Sequence, residues 1–165
     1  YLTTTDYPLT LMITFNIFSV LAFDALLKKI LEWRSEFGNS SNAHGNFHRL
    51  RFDISYLKEP LQYDINILPK DEFLRYMDSH LRFMKDNVDD TAKDKFSFME
   101  YQKLLRTYEY MKCTHYSEEK TNEGRKDFYN FFTEFDKRRS TNLLEVFPEM
   151  EGFWQTCKKV NELTT

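Results

Sequence analysis

Glycine and proline are scarce, four of each in 165 residues. Tight turns lean on these two residue types, so a turn-dense all-β sandwich is excluded. Gly38, Gly45, Gly124 and Gly152 have the wrong spacing for a G-x-G-x-x-G or Walker phosphate loop, and no G-x-S-x-G nucleophile elbow occurs. Cysteine is confined to Cys113 and Cys157, too few and too far apart for a disulfide framework, and they read as two reduced, partly buried thiols. Neither C-x-x-C nor H-E-x-x-H is present; His44 and His48 fall in or at the end of a polar loop, and His80 and His115 stand alone. No uninterrupted apolar run reaches membrane length, because residues 9–31 are broken by Asn16, Ser19, Asp24, Lys28 and Lys29. No basic n-region with an apolar core and small-residue cleavage site opens the chain, and the expected compartment is the cytoplasm. A net charge of −3 gives no global attraction to phosphate backbones or anionic membranes, which disfavours a nucleic-acid partner. A first residue of Tyr1 rather than Met points to a chain processed, truncated or cut from a longer frame.

Aromatic residues are abundant instead, with Phe 16, Tyr 10 and Trp 2, a composition suited to long helices with bulky faces. Residues 9–16, rich in Thr, Ile, Leu and Phe, read as a mostly buried strand. Ser19 then stands at a helix N-cap, and Phe23, Leu26, Leu27, Ile30, Leu31 and Phe37 recur at helical spacing up to Gly38, a natural C′ residue. An exposed loop follows at 39–46. Alternation then predicts two strands, one through Phe52, Ile54 and Tyr56 and one through Leu61, Tyr63, Ile65 and Ile67, with Pro60 in the connection. Pro69 near N1 and Asp71 and Glu72 in the first turn open a helix whose stripe is Phe73, Met77, Leu81, Met84 and Val88. Three more helices follow, through Phe96, Met99, Leu104, Tyr108 and Met111, then the 128–135 phenylalanines, then Met150, Phe153, Trp154, Cys157 and Val160. Breaks are expected near 113–119 and 140–142, with Pro148 in the first turn of the last helix. The fold class is therefore α/β, with a β/α portion over residues 1–90 and an all-helical extension over 91–165 packed with it as one unit.

Few residues suggest chemistry. Asp89 with Asp90, and Glu118 with Glu119, read as solvated charge in polar connections. Asn16 lies at the carboxyl end of the first strand, where parallel α/β folds bind ligands, although Asn16 or Ser19 also serves simply as a helix cap. Phe128, Phe131, Phe132 and Phe135 share one helical side that ends in Asp136, Lys137, Arg138 and Arg139. Arg138 and Arg139 suit a bidentate grip on a carboxylate or phosphate, as a contact for a substrate or partner. The alternative is that the phenylalanines are core and the arginines pair with Glu134, Asp136 or Glu145.

The order Thr14-Phe-Asn-Ile-Phe-Ser19, Tyr56-Leu-Lys-Glu-Pro60, Ile65-Asn-Ile-Leu-Pro69, Asp127-Phe-Tyr-Asn-Phe-Phe132, Asp136-Lys-Arg-Arg139 and Val146-Phe-Pro-Glu149 resembles the C-terminal part of twitch-domain radical S-adenosylmethionine proteins of phage and environmental type. The resemblance implies the last strands and helices of a partial (β/α) barrel followed by a helical extension. It implies, for the complete protein, a four-iron four-sulfur cluster held by a Cys-x3-Cys-x2-Cys loop and the reductive cleavage of S-adenosylmethionine to a 5′-deoxyadenosyl radical. No part of this chain matches that loop, so the cluster would belong to an upstream half of the same polypeptide, and the 165 residues alone are expected to be inactive. Asn16 and Ser19 would then lie at the barrel mouth toward S-adenosylmethionine or substrate, and the extension would act as a lid or docking element, with a peptide or protein among the implied substrates. The competing expectation is a non-enzymatic helical module that binds a protein or single-stranded nucleic acid through its Phe and Arg face.

Overall fold

A computed structural model describes residues 2–3, 7–37 and 49–163. Gly38, the expected loop at 39–46, His44 and His48 lie outside the described residues. Among the described residues the fold is mixed α/β and mostly helical, with one two-stranded parallel sheet. Strand β1 (Leu9–Phe15) pairs in parallel with β2 (Leu50–Tyr56), from Leu9 opposite Leu50 to Phe15 opposite Tyr56. Helix α1 (Ser19–Phe37) forms the crossover that a parallel pair requires. The period of two gives the sheet two unlike faces. Thr10, Met12 and Thr14 of β1 are exposed, whereas Phe15, Leu50, Phe52 and Ile54 are buried. Phe15 meets Phe23 of α1 edge to face, with ring centres 5.0 Å apart.

The second expected strand is not one. Residues Leu61–Tyr63 and Ile65–Ile67 are two short 3-10 turns that lead into α2 (Lys70–Lys85). Asp64 caps the second turn by accepting from the Asn66 amide at 2.8 Å, and the Tyr63 carbonyl accepts from the Ile17 amide. Backbone groups that a ladder would use are thereby spent locally. Leu61, Ile65, Ile67 and Leu68 are all buried rather than alternating, and so are Asp64 and Asn66 between them. Pro69 is the N-cap of α2, one residue outside the helix.

The rear portion holds α3 (Phe98–Lys112), α4 (Glu118–Arg139), the single turn α5 (Leu143–Val146) and α6 (Glu151–Leu163), which follows a 3-10 turn opened by Pro148. Phe96 precedes α3 instead of belonging to its stripe, because Ser97 and Glu100 form a reciprocal capping box that starts the helix after it. Glu118 and Glu119 are likewise not in a connection. They occupy the first turn of α4 behind the Ser117 cap, where the helix dipole favours carboxylates. Ser140 closes α4 in the left-handed conformation, with φ 53°.

One buried cluster draws on both portions, from Phe15 and Phe52 through Met77 to Phe128 and Phe153. Through its middle runs an ion pair. Arg34 is 1% exposed and donates to both carboxylate oxygens of Glu100, at 2.6 and 3.1 Å, and to the carbonyls of Leu50 and Lys95. Glu100 also accepts from the Ser97 amide. Burying two charges is costly unless every donor and lone pair finds a partner, and here α1, β2 and α3 supply those partners.

Candidate functional site

The carboxyl ends of β1 and β2 lie at the same end of the sheet, and a group of polar residues follows each. After β1, Asn16 Oδ1 accepts from the amides of Phe18 (3.0 Å) and Ser19 (3.4 Å), while the Asn16 amide donates to Ser19 Oγ at 3.2 Å. The two residues thus cap the turn that starts α1. The Asn16 side-chain amide protons and the Ser19 hydroxyl proton remain for another acceptor.

After β2, Tyr56 stacks on Tyr110 of α3, with centroids 4.1 Å apart, and His115 stacks on Tyr110 at 4.5 Å. Lys58 Nζ lies 5.5 Å from the centre of the Tyr56 ring and 5.2 Å from that of Tyr110, a cation–π arrangement. Beneath this stack Asp64 is fully buried and accepts 2.6 Å hydrogen bonds from the hydroxyls of both Tyr110 and Tyr116. Burial, first of all, and then the Asp64 carboxylate raise both phenols, that of Tyr110 far above its usual range, so they stay protonated and serve as donors.

Beside this cluster a cleft of about 220 Å³ is lined by Asn66, Lys70, Thr114, His115, Tyr116 and Arg125, among others. The first turn of α2 opens onto it with no side-chain cap. Arg125 of α4 donates from Nε to the Ile67 carbonyl at 2.9 Å, and burial pulls its guanidinium below the ordinary value. Lys70 Nζ donates to the carbonyls of Lys112 and Cys113 and to the Thr114 hydroxyl, tying α2 to the end of α3.

Lys137, Arg138 and Arg139 lie elsewhere, exposed at the end of α4. Arg138 Nε donates to Glu134 at 2.6 Å, and Arg139 sits 5.9 Å from the centre of the Phe135 ring. The phenylalanine stripe divides. Phe128 and Phe132 are core, while Phe131 and Phe135 are 39% and 41% exposed. Phe132 and Phe135 border a second, apolar cleft with Phe18, Val146 and Phe147, which Arg138 does not line.

The cysteines do not fit an iron–sulfur cluster, which takes several thiolates on one ion group. Cys157 is buried, and that burial pushes its thiol up to about 12. Cys113 is exposed, not partly buried as expected, because it ends α3 at the surface. Among the described residues no group of three or more His, Cys, Asp or Glu side chains is placed to hold a metal ion. No described helix is long and apolar enough to cross a membrane.

Comparison with protein-family models, curated proteins and solved structures finds no match. The site therefore stands on its own geometry. Sequence reasoning singled out Asn16 and Ser19, which cap the start of α1, and did not single out Asp64, Asn66, Tyr110, Tyr116 or Arg125. The available signal was Asp64 two residues before Asn66 and five before Pro69, a spacing that suits Asx capping before a helix better than a strand.

Proposed function

We propose that this chain forms the rear portion of a radical S-adenosylmethionine enzyme of the twitch type. In this reading β1, α1, β2 and α2 are late units of a partial β/α barrel, and α3 to α6 are the extension beside it. The observation that carries the reading is the parallel, in-register pairing of β1 with β2 across α1, with Thr10, Met12 and Thr14 open on the face away from the core. Parallel sheets are ordinarily covered on both faces, and an uncovered row on a parallel pair suits the inner wall of a barrel whose remaining strands lie elsewhere in the polypeptide. Ligands of such barrels bind at the carboxyl ends of strands, where Asn16, Ser19 and the Asp64 cluster stand.

The cluster and its radical chemistry would reside on residues outside this chain, whose own cysteines do not fit it. The part left to this chain is to wall the substrate side, orient a substrate through neutral donors such as Asn16 Nδ2 and Ser19 Oγ, and exclude water. The test is to read the coding frame upstream of the Tyr1 codon and purify the encoded polypeptide without oxygen. The expected result is a Cys-x3-Cys-x2-Cys loop, an iron–sulfur chromophore and 5′-deoxyadenosine released from S-adenosylmethionine under reductant. A frame without those cysteines, or a reconstituted protein that releases no 5′-deoxyadenosine, overturns the proposal.

One observation favours a second reading, a protein-binding module: the exposure of Phe131 and Phe135 beside the apolar cleft. A Phe131→Ser, Phe135→Ser variant that keeps its fold and its full activity in the complete protein would set that reading aside.

A further inference from the structure

The two edges of the parallel pair are finished differently. In a parallel ladder every second residue turns its N–H and C=O toward the neighbouring strand, and the residues between turn theirs away. The Leu9 amide donates to the Arg49 carbonyl at one end of the ladder, and the Phe15 carbonyl accepts from the Leu57 amide at the other. The odd-numbered residues of β1 therefore face β2, and Thr10, Met12 and Thr14 turn their backbone groups to the open edge. By the same parity Leu50, Phe52 and Ile54 turn theirs to the far edge of β2, and that edge is closed. The Leu50 carbonyl accepts from Arg34 Nε at 2.9 Å, the Phe52 amide donates to Glu100 Oε1 at 3.5 Å, and the Ile54 amide donates to Asp53 Oδ1 at 2.9 Å. Among the described residues nothing meets the outward groups of Thr10, Met12 and Thr14.

The side chains repeat this contrast. On the core side of the sheet Leu50, Phe52 and Ile54 are buried, whereas Leu9, Leu11 and Ile13 beside them are only partly covered. The apolar layer thus runs out past β1 unfinished. An occupant that supplies backbone donors and acceptors together with an apolar row is an extended strand.

The residues of β1 say which strand fits. Leu9–Phe15 holds no charge, no proline and no glycine, so it lacks the devices that keep strand edges apart and meets its own copy without repulsion. Thr10 and Thr14 stand two residues to either side of Met12. An antiparallel pair centred on Met12 sets Met12 opposite the other copy's Met12 and Thr10 opposite its Thr14, and every outward N–H and C=O of the three residues finds a partner. On the core side it sets Leu11 beside the other copy's Ile13, which extends the unfinished layer. We propose that β1 is a self-docking edge, through which two copies of this chain join in an antiparallel pair about Met12. The product is a four-stranded sheet that grows no further, because its outer edges are the two closed β2 strands. The inference concerns the 165-residue chain and does not rest on the barrel reading, which would give the same edge to further strands where a polypeptide carries them.

The test is sedimentation equilibrium of the 165-residue chain. Monomer and dimer are expected in exchange, with a Kd of about 0.1 mM or tighter and no larger species. Met12→Lys, at an exposed position, sets two like charges face to face across the centre and should weaken the dimer at least about tenfold. Met12→Pro removes an N–H that β2 does not use and should do the same. In a Cys113→Ser background, with Cys157 buried, a short bis-maleimide should link Met12→Cys chains into a dimer. It should leave Thr10→Cys chains unlinked, since that position lies about 14 Å from its own copy along the pair. A chain still monomeric at about 0.1 mM, a dimer that Met12→Lys and Met12→Pro both leave intact, growth beyond the dimer, or linkage through Thr10→Cys in preference to Met12→Cys overturns the proposal.

Discussion

His80 sits where an imidazole has no room for a second proton. Its ring is 2% exposed and donates from Nε2 to the Val20 carbonyl at 2.7 Å, which fixes the tautomer and leaves Nδ1 buried and unpaired. Burial is the largest influence and lowers the pKa below the ordinary 6.5; the hydrogen bond to Val20 and the charge of Asp24 oppose it, and Lys28 adds to it. A depressed histidine pKa means the unfolded chain takes up the proton first as pH falls. Stability from this group is thus complete above about pH 6.5 and declines below it until the folded ring titrates too. Urea midpoints measured at pH 7.5 and 5.5 should fall on acidification, and His80→Gln should shrink that fall. An equal fall in both proteins would mean that other groups carry the acid sensitivity. The polar residues of the candidate site were less legible, because Asp64 and Asn66 read as the outward positions of an alternating strand and Arg125 belonged to no pattern in the sequence. Their partners, Tyr110 and Ile67, lie 46 and 58 residues away in the chain, beyond any local pattern.

Helix α4 shows how a single glycine sets the approach of an element. A Cβ at Gly124 would stand 2.8 Å from Ile67 Cγ2 and 2.8 Å from Leu61 Cγ, both in the buried 3-10 turns. Alanine favours a helix over glycine by about 1 kcal/mol, but overpacking costs about 1–3 kcal/mol and here meets two buried branched side chains. Gly124→Ala should therefore lower stability by about 1–2 kcal/mol in urea denaturation, and a gain would mean that α4 can move away from the turns. Helix α1, β2 and α2 were legible from apolar spacing, whereas β1 was legible from its composition but not mostly buried as expected, since Thr10, Met12 and Thr14 are exposed and only Phe15 is fully buried. The turns at 61–67 were not. From Asp64 to Ile67 every residue is buried, under α3 and α4, and such a run loses the alternation or helical stripe that contrast with water would impose.

At the scale of the whole molecule, the sheet leaves one row of β1 open. Met12 is 74% exposed in the middle of the open row, between Thr10 and Thr14. A Met12→Cys variant in a Cys113→Ser background isolates this position, because Cys157 is buried with its thiol at about 12 and reacts slowly. On the barrel proposal, maleimide should label Cys at position 12 at least about tenfold faster in the 165-residue chain than in a polypeptide that carries the further strands. Equal rates would remove the barrel placement. The buried pair of Arg34 and Glu100, 66 residues apart, has a consequence of a different sort. Either residue changed alone strands a charge in the core, whereas both changed together to apolar residues need cost little. Descendants of a common ancestor should therefore keep both or lose both, and this coupled inheritance of positions 34 and 100 offers a signature by which distant kin of the chain can be told from chance resemblance.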